Sequence, residues 1–237
     1  MNGTQKEITF LVEALSLTLK PSNENFKKAE EMLSQARQQK DFFTWLLKII
    51  DQTNIAVSIR LAASCCLAKD IREFLGKGDK NIDPSLINKV FLYFKENIFR
   101  IISCNFENNP IRKKLEEAAK LLIQNIFPNY WPNLIDILIK VMNDSNNLQD
   151  VYSVTKGVYF TLNKYKNLME DKKEDFPAIC KQTLPSIQKL AENIFKKVYL
   201  LLGTDMDNIE IYIEIINVIL KCFKIVNHLN IEMSKVL

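Results

Sequence analysis

Histidine is the side chain that enzymes use most often for proton transfer, and this chain of 237 residues contains one, His228. A catalytic histidine works beside a serine or cysteine nucleophile, and a metal-binding one works among other ligands. No recognisable motif places such a residue with His228. We interpret it as a helix-end histidine near the negative pole of a helix dipole, so the sequence predicts no nucleophilic dyad.

The tripeptide Gly76-Lys77-Gly78 superficially resembles a phosphate-binding loop. It follows a helical pattern, lacks the glycine spacing of such loops and has no serine or threonine after the lysine. The spacings of zinc sites, EF-hands and H-E-x-x-H helices do not occur either. We expect neither a metal nor another cofactor.

Pairs of adjacent carboxylates could serve as acid and base if they faced a common pocket. Two of the pairs lie on predicted helix surfaces with lysines three residues away, which is typical of solvated ion pairs. The pairs are Glu30-Glu31, Glu116-Glu117 and Glu174-Asp175. Because the sequence brings no catalytic groups together, it indicates a binding protein rather than an enzyme.

Cysteine usage and charge limit the class of protein further. The five cysteines include no C-x-x-C spacing, and Cys65-Cys66 falls in an apolar helical pattern, so we expect reduced, buried thiols. No signal peptide is visible, and the most apolar window, residues 209–226, is interrupted by charged residues, so we expect no membrane insertion. The net charge of +4 is spread over Lys-Glu mixtures, which disfavours direct nucleic-acid binding.

The segments that must position any binding residues are helical throughout. Five glycines are too few for a sheet rich in hairpins, and apolar residues recur with helical spacing. The predicted helices span residues 5–19, 23–38, 42–51, 55–75, 84–104, 111–126, 131–142, 148–165, 176–201 and 206–226. We expect Pro185 to kink or break its helix, and residues 231–237 to begin another.

These helices pair at a spacing of roughly 40 residues, which is the period of HEAT and armadillo arrays. We therefore predict an all-α fold, an α-solenoid (right-handed α-α superhelix) of about five HEAT-type antiparallel helix pairs. An irregular helical bundle is the alternative. No capping repeat is visible at the end, so residues 1–237 are expected to be an N-terminal HEAT-repeat segment truncated from a longer solenoid.

Three motifs follow one another between residues 55 and 134. An R-x-A helix runs from Arg60 to Lys69, an I-R-x-x-L helix begins at Ile111, and an F-P-x-x-W-P turn spans residues 127–132. This succession resembles the N-terminal region of the importin-β (karyopherin) superfamily, which would cover about 22–110 here. One departure is that the lysine of the first motif lies one place later, at Lys69. Segments further along, such as residues 160–165, look most like the importin-seven/eight branch.

The resemblance implies an import-type nuclear transport receptor that shuttles between cytoplasm and nucleus. Its N-terminal repeats would bind the GTPase Ran in its GTP form through the second helix of each repeat, which lines the inner face. Nucleoporins would be further partners, and basic protein cargo would bind mainly through repeats beyond this segment. The candidate Ran-binding residues are Lys28, Glu31, Gln35, Arg60, Lys69, Arg112 and Lys113.

Several of these residues also have a structural interpretation. Arg60 and Arg112 open their helices near the apolar stripe and could bond carbonyls of the preceding repeat instead of a partner. The turn residues Phe127, Pro128, Trp131 and Pro132 are expected to pack between repeats. The alternative functions are an export receptor of the same superfamily, a HEAT scaffold subunit that does not bind Ran and, least favoured, a helical enzyme.

Overall fold

The computed structural model describes residues 3–20, 22–76, 84–166, 174–201 and 209–234. Within these ranges the regular elements are ten α-helices, which confirms the all-α prediction. They are α1 (Gly3–Thr18), α2 (Asn23–Arg37), α3 (Phe42–Asp51), α4 (Val57–Gly76), α5 (Pro84–Cys104), α6 (Asn109–Ile126), α7 (Leu134–Asp144), α8 (Leu148–Lys166), α9 (Phe176–Leu201) and α10 (Ile209–Ser234). Residues Lys77 and Gly78 of the loop-like tripeptide lie outside the described ranges.

Local signals in the sequence explain where several helices begin. The hydroxyl of Ser22 accepts a hydrogen bond from the backbone N–H of Asn25 at 3.3 Å and so caps α2. Pro84 is the first residue of α5, a position at which a backbone N–H would have no partner within the helix, so the N–H that proline lacks is not missed. The side-chain oxygen of Asn108 accepts from the N–H of Ile111 at 3.4 Å at the start of α6.

Helix α9 has the predicted bounds and continues through Pro185, so the predicted break does not occur, and Cys180 and Ile187 are buried on either side of the proline. The end of α10 and the start of α7 differ from the prediction. Helix α10 continues through residues 231–234 because neither glycine nor proline interrupts it there, and His228 is therefore not at a helix end. Helix α7 begins at Leu134, which leaves Trp131 in the preceding turn.

Residues 1–121 form the first compact unit. Helix α1 packs on α2 and α3 packs on α4, while α1, α3 and α5 contact one another in succession. Leu11 and Ile50 are fully buried in this layer, and Ala63 brings α4 close to its neighbours. The first helices α1, α3 and α5 stack on one another, and α1 and α3 are paired with α2 and α4, which is the HEAT arrangement that the spacing predicted.

Residues 122–237 form the second unit, which repeats this scheme. Helix α7 pairs with α8 and α9 pairs with α10; α7 also packs on α9, and α8 packs extensively on α10. The core of the unit includes Leu138, Val158, Ile187 and Ile215, all fully buried. The second helices α8 and α10 thus form one layer, and α7 and α9 form the other.

Candidate interaction surface of the second helices

The seven candidate Ran-binding residues lie on α2, α4 and the first part of α6, which are the second helices of the first unit. We call these helices, through residue 121, the second-helix surface. Five of the candidates are exposed: Lys28, Glu31, Gln35, Lys69 and Lys113. Arg60 and Arg112 are buried, with 7% and 6% of their surfaces accessible. Burial separates the candidates into residues that a partner can reach and residues that hold helices together.

Arg60 is bonded within the unit. Its Nε donates to the carbonyl oxygen of Ile50 in α3 at 2.8 Å, and its Nη2 donates to the side-chain oxygen of Asn105 after α5. Asn105 in turn donates from Nδ2 to the carbonyl oxygen of Ile101 at 2.8 Å. The acceptor carbonyl belongs to the same helix pair as Arg60, and Asn105 belongs to the following pair. Arg60 therefore ties two successive pairs together, with its charge dispersed over buried hydrogen bonds.

Arg112 occupies the same place in α6 as Arg60 does in α4, the fourth residue of the helix. Its guanidinium carbon lies 4.3 Å from the ring centroid of Phe106, the residue after Asn105. A guanidinium on an aromatic face gains cation–π attraction, and because it is more weakly hydrated than an ammonium, its burial costs less than that of a lysine. Both buried arginines thus converge on the turn between α5 and α6.

The exposed candidates do not converge on one point. Lys28 Nζ lies 3.4 Å from a carboxylate oxygen of Glu13 on α1, so its side chain leans towards the first helix of its own pair. Lys69 Nζ lies 3.9 Å from Glu73 along α4. These exposed pairs are loosely held, because solvent-exposed ion pairs gain little over hydration. Their charges can therefore be redirected to a partner at small cost.

The sequence did not reveal a bonded pair between α2 and α4. Arg37 Nε donates to Asp70 Oδ1 at 2.9 Å, and Asp70, which is 5% exposed, also accepts from Cys66 Sγ at 3.0 Å. Burial, reinforced by Asp70, raises the pKa of the Cys66 thiol and keeps it protonated. Arg37 and Asp70 lie 33 residues apart in the chain, so only the packing of the two helices brings them together.

A second link that the sequence missed joins α4 to α6. Arg72 Nη2 donates to Glu117 Oε1, while Lys114 Nζ donates to Glu117 Oε2 at 2.8 Å. The hydrogen bond from Lys114 lowers the pKa of Glu117, and the reciprocal bond raises the pKa of Lys114. The i,i+3 pairing within α6 was predicted, but the contact with Arg72 was not. The second-helix surface is therefore crossed by ion pairs from α2 to α4 to α6.

The cysteines differ from the prediction of buried thiols. Cys180 and Cys222 are buried, whereas Cys65 and Cys104 are exposed. All five are free. Among the residues that the structure describes, no group of three or more histidines, cysteines and carboxylates could hold a metal ion. None of the described helices is long and apolar enough to cross a membrane.

The turn after α6 is built around two buried rings. Phe127 and Trp131 are 4% and 2% exposed, while Pro128 is half-buried and Pro132 is exposed. Lys164 of α8 donates from Nζ to the carbonyl oxygen of Phe127, and its ammonium lies 5.9 Å from the Phe127 ring. Burial lowers the pKa of Lys164. Within the second unit, the turn is thus fastened to α8 by a lysine that the sequence did not single out.

Comparisons with known proteins bear on the same region. Residues 29–102, which extend from α2 into α5, match the model of the importin-beta N-terminal domain. The importin alpha re-exporter of Saccharomyces cerevisiae is 30% identical over 120 residues, which is 50% of this chain and 12% of that protein. A structure of the exportin Cse1 in its cargo-free, cytoplasmic state matches with a TM-score of 0.77 at 18% identity, over 94% of this chain and 23% of that one.

The structural match confirms the α-solenoid fold. The chain spans only a small part of each relative, 12% and 23% of their lengths. The importin-seven/eight branch is not confirmed by these relatives. The domain match, which covers residues 29–102 only, and the yeast relative agree with the resemblance of this sequence to the importin-β superfamily.

Proposed function

We propose that this chain is the N-terminal HEAT-repeat segment of a longer nuclear transport receptor and that it binds Ran in the GTP form. The observation that carries the proposal is the match of residues 29–102 to the importin-beta N-terminal domain. That match contains α4 entirely and most of α2, the helices on which four of the five exposed candidates lie. A receptor of this kind shuttles between nucleus and cytoplasm and uses nucleoporins as further partners.

The exposed residues of the second-helix surface are the proposed contacts: Lys28, Glu31, Gln35, Lys69 and Lys113. Arg60 and Arg112 are assigned a positioning role, because their guanidinium groups are buried and committed to the α5–α6 turn. Exposed charges at an interface act mainly on the association rate and on selectivity. Buried arginines act through the stability and spacing of the helices that present those charges.

The direction of transport has two candidates. Import follows from the resemblance of residues 160–165 to the importin-seven/eight branch. Export is favoured by a specific observation, since the curated relative is named a re-exporter and the matching structure is an exportin. The two differ in whether Ran-GTP expels or recruits cargo, so cargo capture by the full-length protein with and without Ran-GTP distinguishes them.

The first test is a pull-down of Ran loaded with GTP or GDP by the chain of residues 1–237. We expect retention of the GTP form and little of the GDP form. The triple variant Lys28→Glu/Lys69→Glu/Lys113→Glu should reduce retention at least tenfold, because it reverses three exposed charges. The matched control, Lys6→Glu/Lys20→Glu/Lys89→Glu, changes the same charge at exposed positions off the second helices and should retain Ran.

Two outcomes would contradict the proposal. Equal retention of both nucleotide forms would favour a HEAT scaffold that does not respond to Ran. Equal loss in the two triple variants would show that overall charge, rather than the second-helix surface, controls the interaction.

A further inference from the structure

A basic cleft lies between α8 and α10, on the second helices of the second unit. Its volume is about 380 Å³. Its polar lining comes from the last two turns of α8 and from one face of α10: Tyr159, Asn163, Lys166, Lys221, Lys224 and His228. The three lysines and His228 are exposed, while Tyr159 and Asn163 are half-buried. The lining therefore offers cations at the rim and hydrogen-bonding groups deeper inside.

The charged side chains among the described residues that line the cleft are basic. None of the described residues that line it carries a carboxylate. In sequence, residues 151–166 of α8 and 215–231 of α10 contain no aspartate or glutamate at all. Lys221, Lys224 and His228 follow the i, i+3, i+7 spacing that places side chains on one helix face. The three lysines of the described lining therefore give this cleft a local excess of positive charge.

The second-helix surface of the first unit provides a contrast. There the two arginines Arg37 and Arg72 have acidic partners, since Arg37 bonds Asp70 and Arg72 bonds Glu117. Lys69 also lies beside Glu73. Part of the charge on that surface is therefore paired within it, whereas none of the described residues that line the α8–α10 cleft carries a carboxylate. A surface of one charge at a concave site is suited to a ligand of the opposite charge.

We propose that this cleft binds an acidic peptide segment of a partner protein. From Lys221 to His228 the helix rises by about 10 Å, which equals the length of about three residues of extended chain. A short run of aspartate and glutamate residues laid along α10 would therefore meet Lys221, Lys224 and His228 in turn, with Lys166 reaching it from α8. The half-buried side chains of Asn163 and Tyr159 can form hydrogen bonds with the peptide backbone. A nucleic acid would need a longer basic track and several stacking rings, and the lining supplies one aromatic residue.

This inference does not depend on Ran binding, and its test uses a different ligand. The probe is a fluorescein-labelled octapeptide of alternating Asp and Glu, titrated with the chain of residues 1–237 and followed by fluorescence anisotropy. The matched peptide replaces every Asp by Asn and every Glu by Gln. We expect the acidic peptide to bind at least tenfold tighter than the amide peptide, and more weakly as salt rises from about 50 to 200 mM.

The decisive variant is Lys166→Gln/Lys221→Gln/Lys224→Gln, which removes three cations without introducing repulsion. It should weaken binding of the acidic peptide at least tenfold. The control Lys181→Gln/Lys189→Gln/Lys196→Gln removes the same charge from exposed positions of α9 and should weaken it less than twofold. Circular dichroism should show both variants folded, since all six lysines are exposed.

Three results would overturn the proposal. Equal weakening by the two variants would mean that overall charge attracts the peptide. Equal affinity for the acidic and amide peptides would exclude recognition of carboxylates. Tighter binding of a single-stranded oligonucleotide of equal charge, lost in the α8–α10 variant, would assign the cleft to nucleic acid instead.

Discussion

The guanidinium of Arg60 in α4 donates from Nε to the carbonyl oxygen of Ile50 in α3 at 2.8 Å. This bond crosses from the second helix of a pair to the end of the first. The same guanidinium continues to Asn105 in the next pair, so one side chain sets the spacing of three helices. Arg60, which the sequence proposed as a Ran contact, therefore holds together the helices that present the neighbouring exposed lysines.

Replacing Arg60 by methionine should destabilise the first unit by about 2–4 kcal/mol, because it leaves two buried acceptors without their donor. The change keeps much of the apolar stem, so lost packing adds little. Urea unfolding followed by the fluorescence of Trp45 in a Trp131→Phe background would measure it, since Trp45 is then the only tryptophan. The exposed Lys69→Met should shift the stability by less than about 0.5 kcal/mol. Similar effects of the two changes would contradict the positioning role.

The Arg37–Asp70 pair should show a measurable coupling energy. Arg37→Met leaves a carboxylate that is 5% exposed without its cation, so we expect it to cost more than Asp70→Asn, which removes the charge and keeps one acceptor oxygen for Arg37. A double-mutant cycle by urea unfolding should give a coupling of about 1–2 kcal/mol. Additivity within about 0.3 kcal/mol would show that the hydrogen bond contributes nothing beyond the separate side chains.

Much of the fold followed from the sequence because the signals are local. Ser22 and Pro84 mark helix starts, and the apolar stripe of α6 keeps its period throughout. The site was less predictable for a physical reason. Arg37 meets Asp70, and Arg72 meets Glu117, only because of how α2, α4 and α6 are rotated and aligned, and that register is decided by packing across the whole unit. The end of α10 was missed because no glycine or proline marks it.

The cysteines should react in two groups. Burial raises the pKa of Cys180 to about 11 and that of Cys222 to about 12, and it raises the pKa of the Cys66 thiol as well. Because the thiolate is the reactive form, these three should resist a disulfide reagent at neutral pH. The exposed Cys65 and Cys104 should react with the reagent before the other three cysteines do. Mass spectrometry of the labelled native chain identifies the sites, and early labelling of Cys222 would show that α10 opens from α8.

The ion pairs of Glu117 should make stability depend on pH on the acid side. The hydrogen bond from Lys114 holds the pKa of Glu117 below its ordinary value, so the stabilisation is present above about pH 4.3, the pKa of an unperturbed glutamate, and disappears as the pH falls further. Between pH 5 and pH 3, Glu117→Gln should lose less stability than the original chain. The difference should stay below about 1 kcal/mol, because the pair is partly exposed, and it should shrink in high salt. If the stability of Glu117→Gln and that of the original chain changed equally between pH 5 and pH 3, this role of Glu117 would be contradicted.

Trp131 should matter for stability and not for partner binding. Truncation to alanine removes a ring that is 2% exposed and should cost about 3–5 kcal/mol, whereas Trp131→Phe retains most of the packing and should cost less. Pro132→Ala, at an exposed position of the same turn, should stay within about 0.5 kcal/mol. Thermal unfolding followed by circular dichroism measures all three. At a temperature where the Trp131→Phe variant is folded, its retention of Ran-GTP should equal that of the original chain. A folded variant that fails to retain Ran-GTP would place the tryptophan in the binding surface.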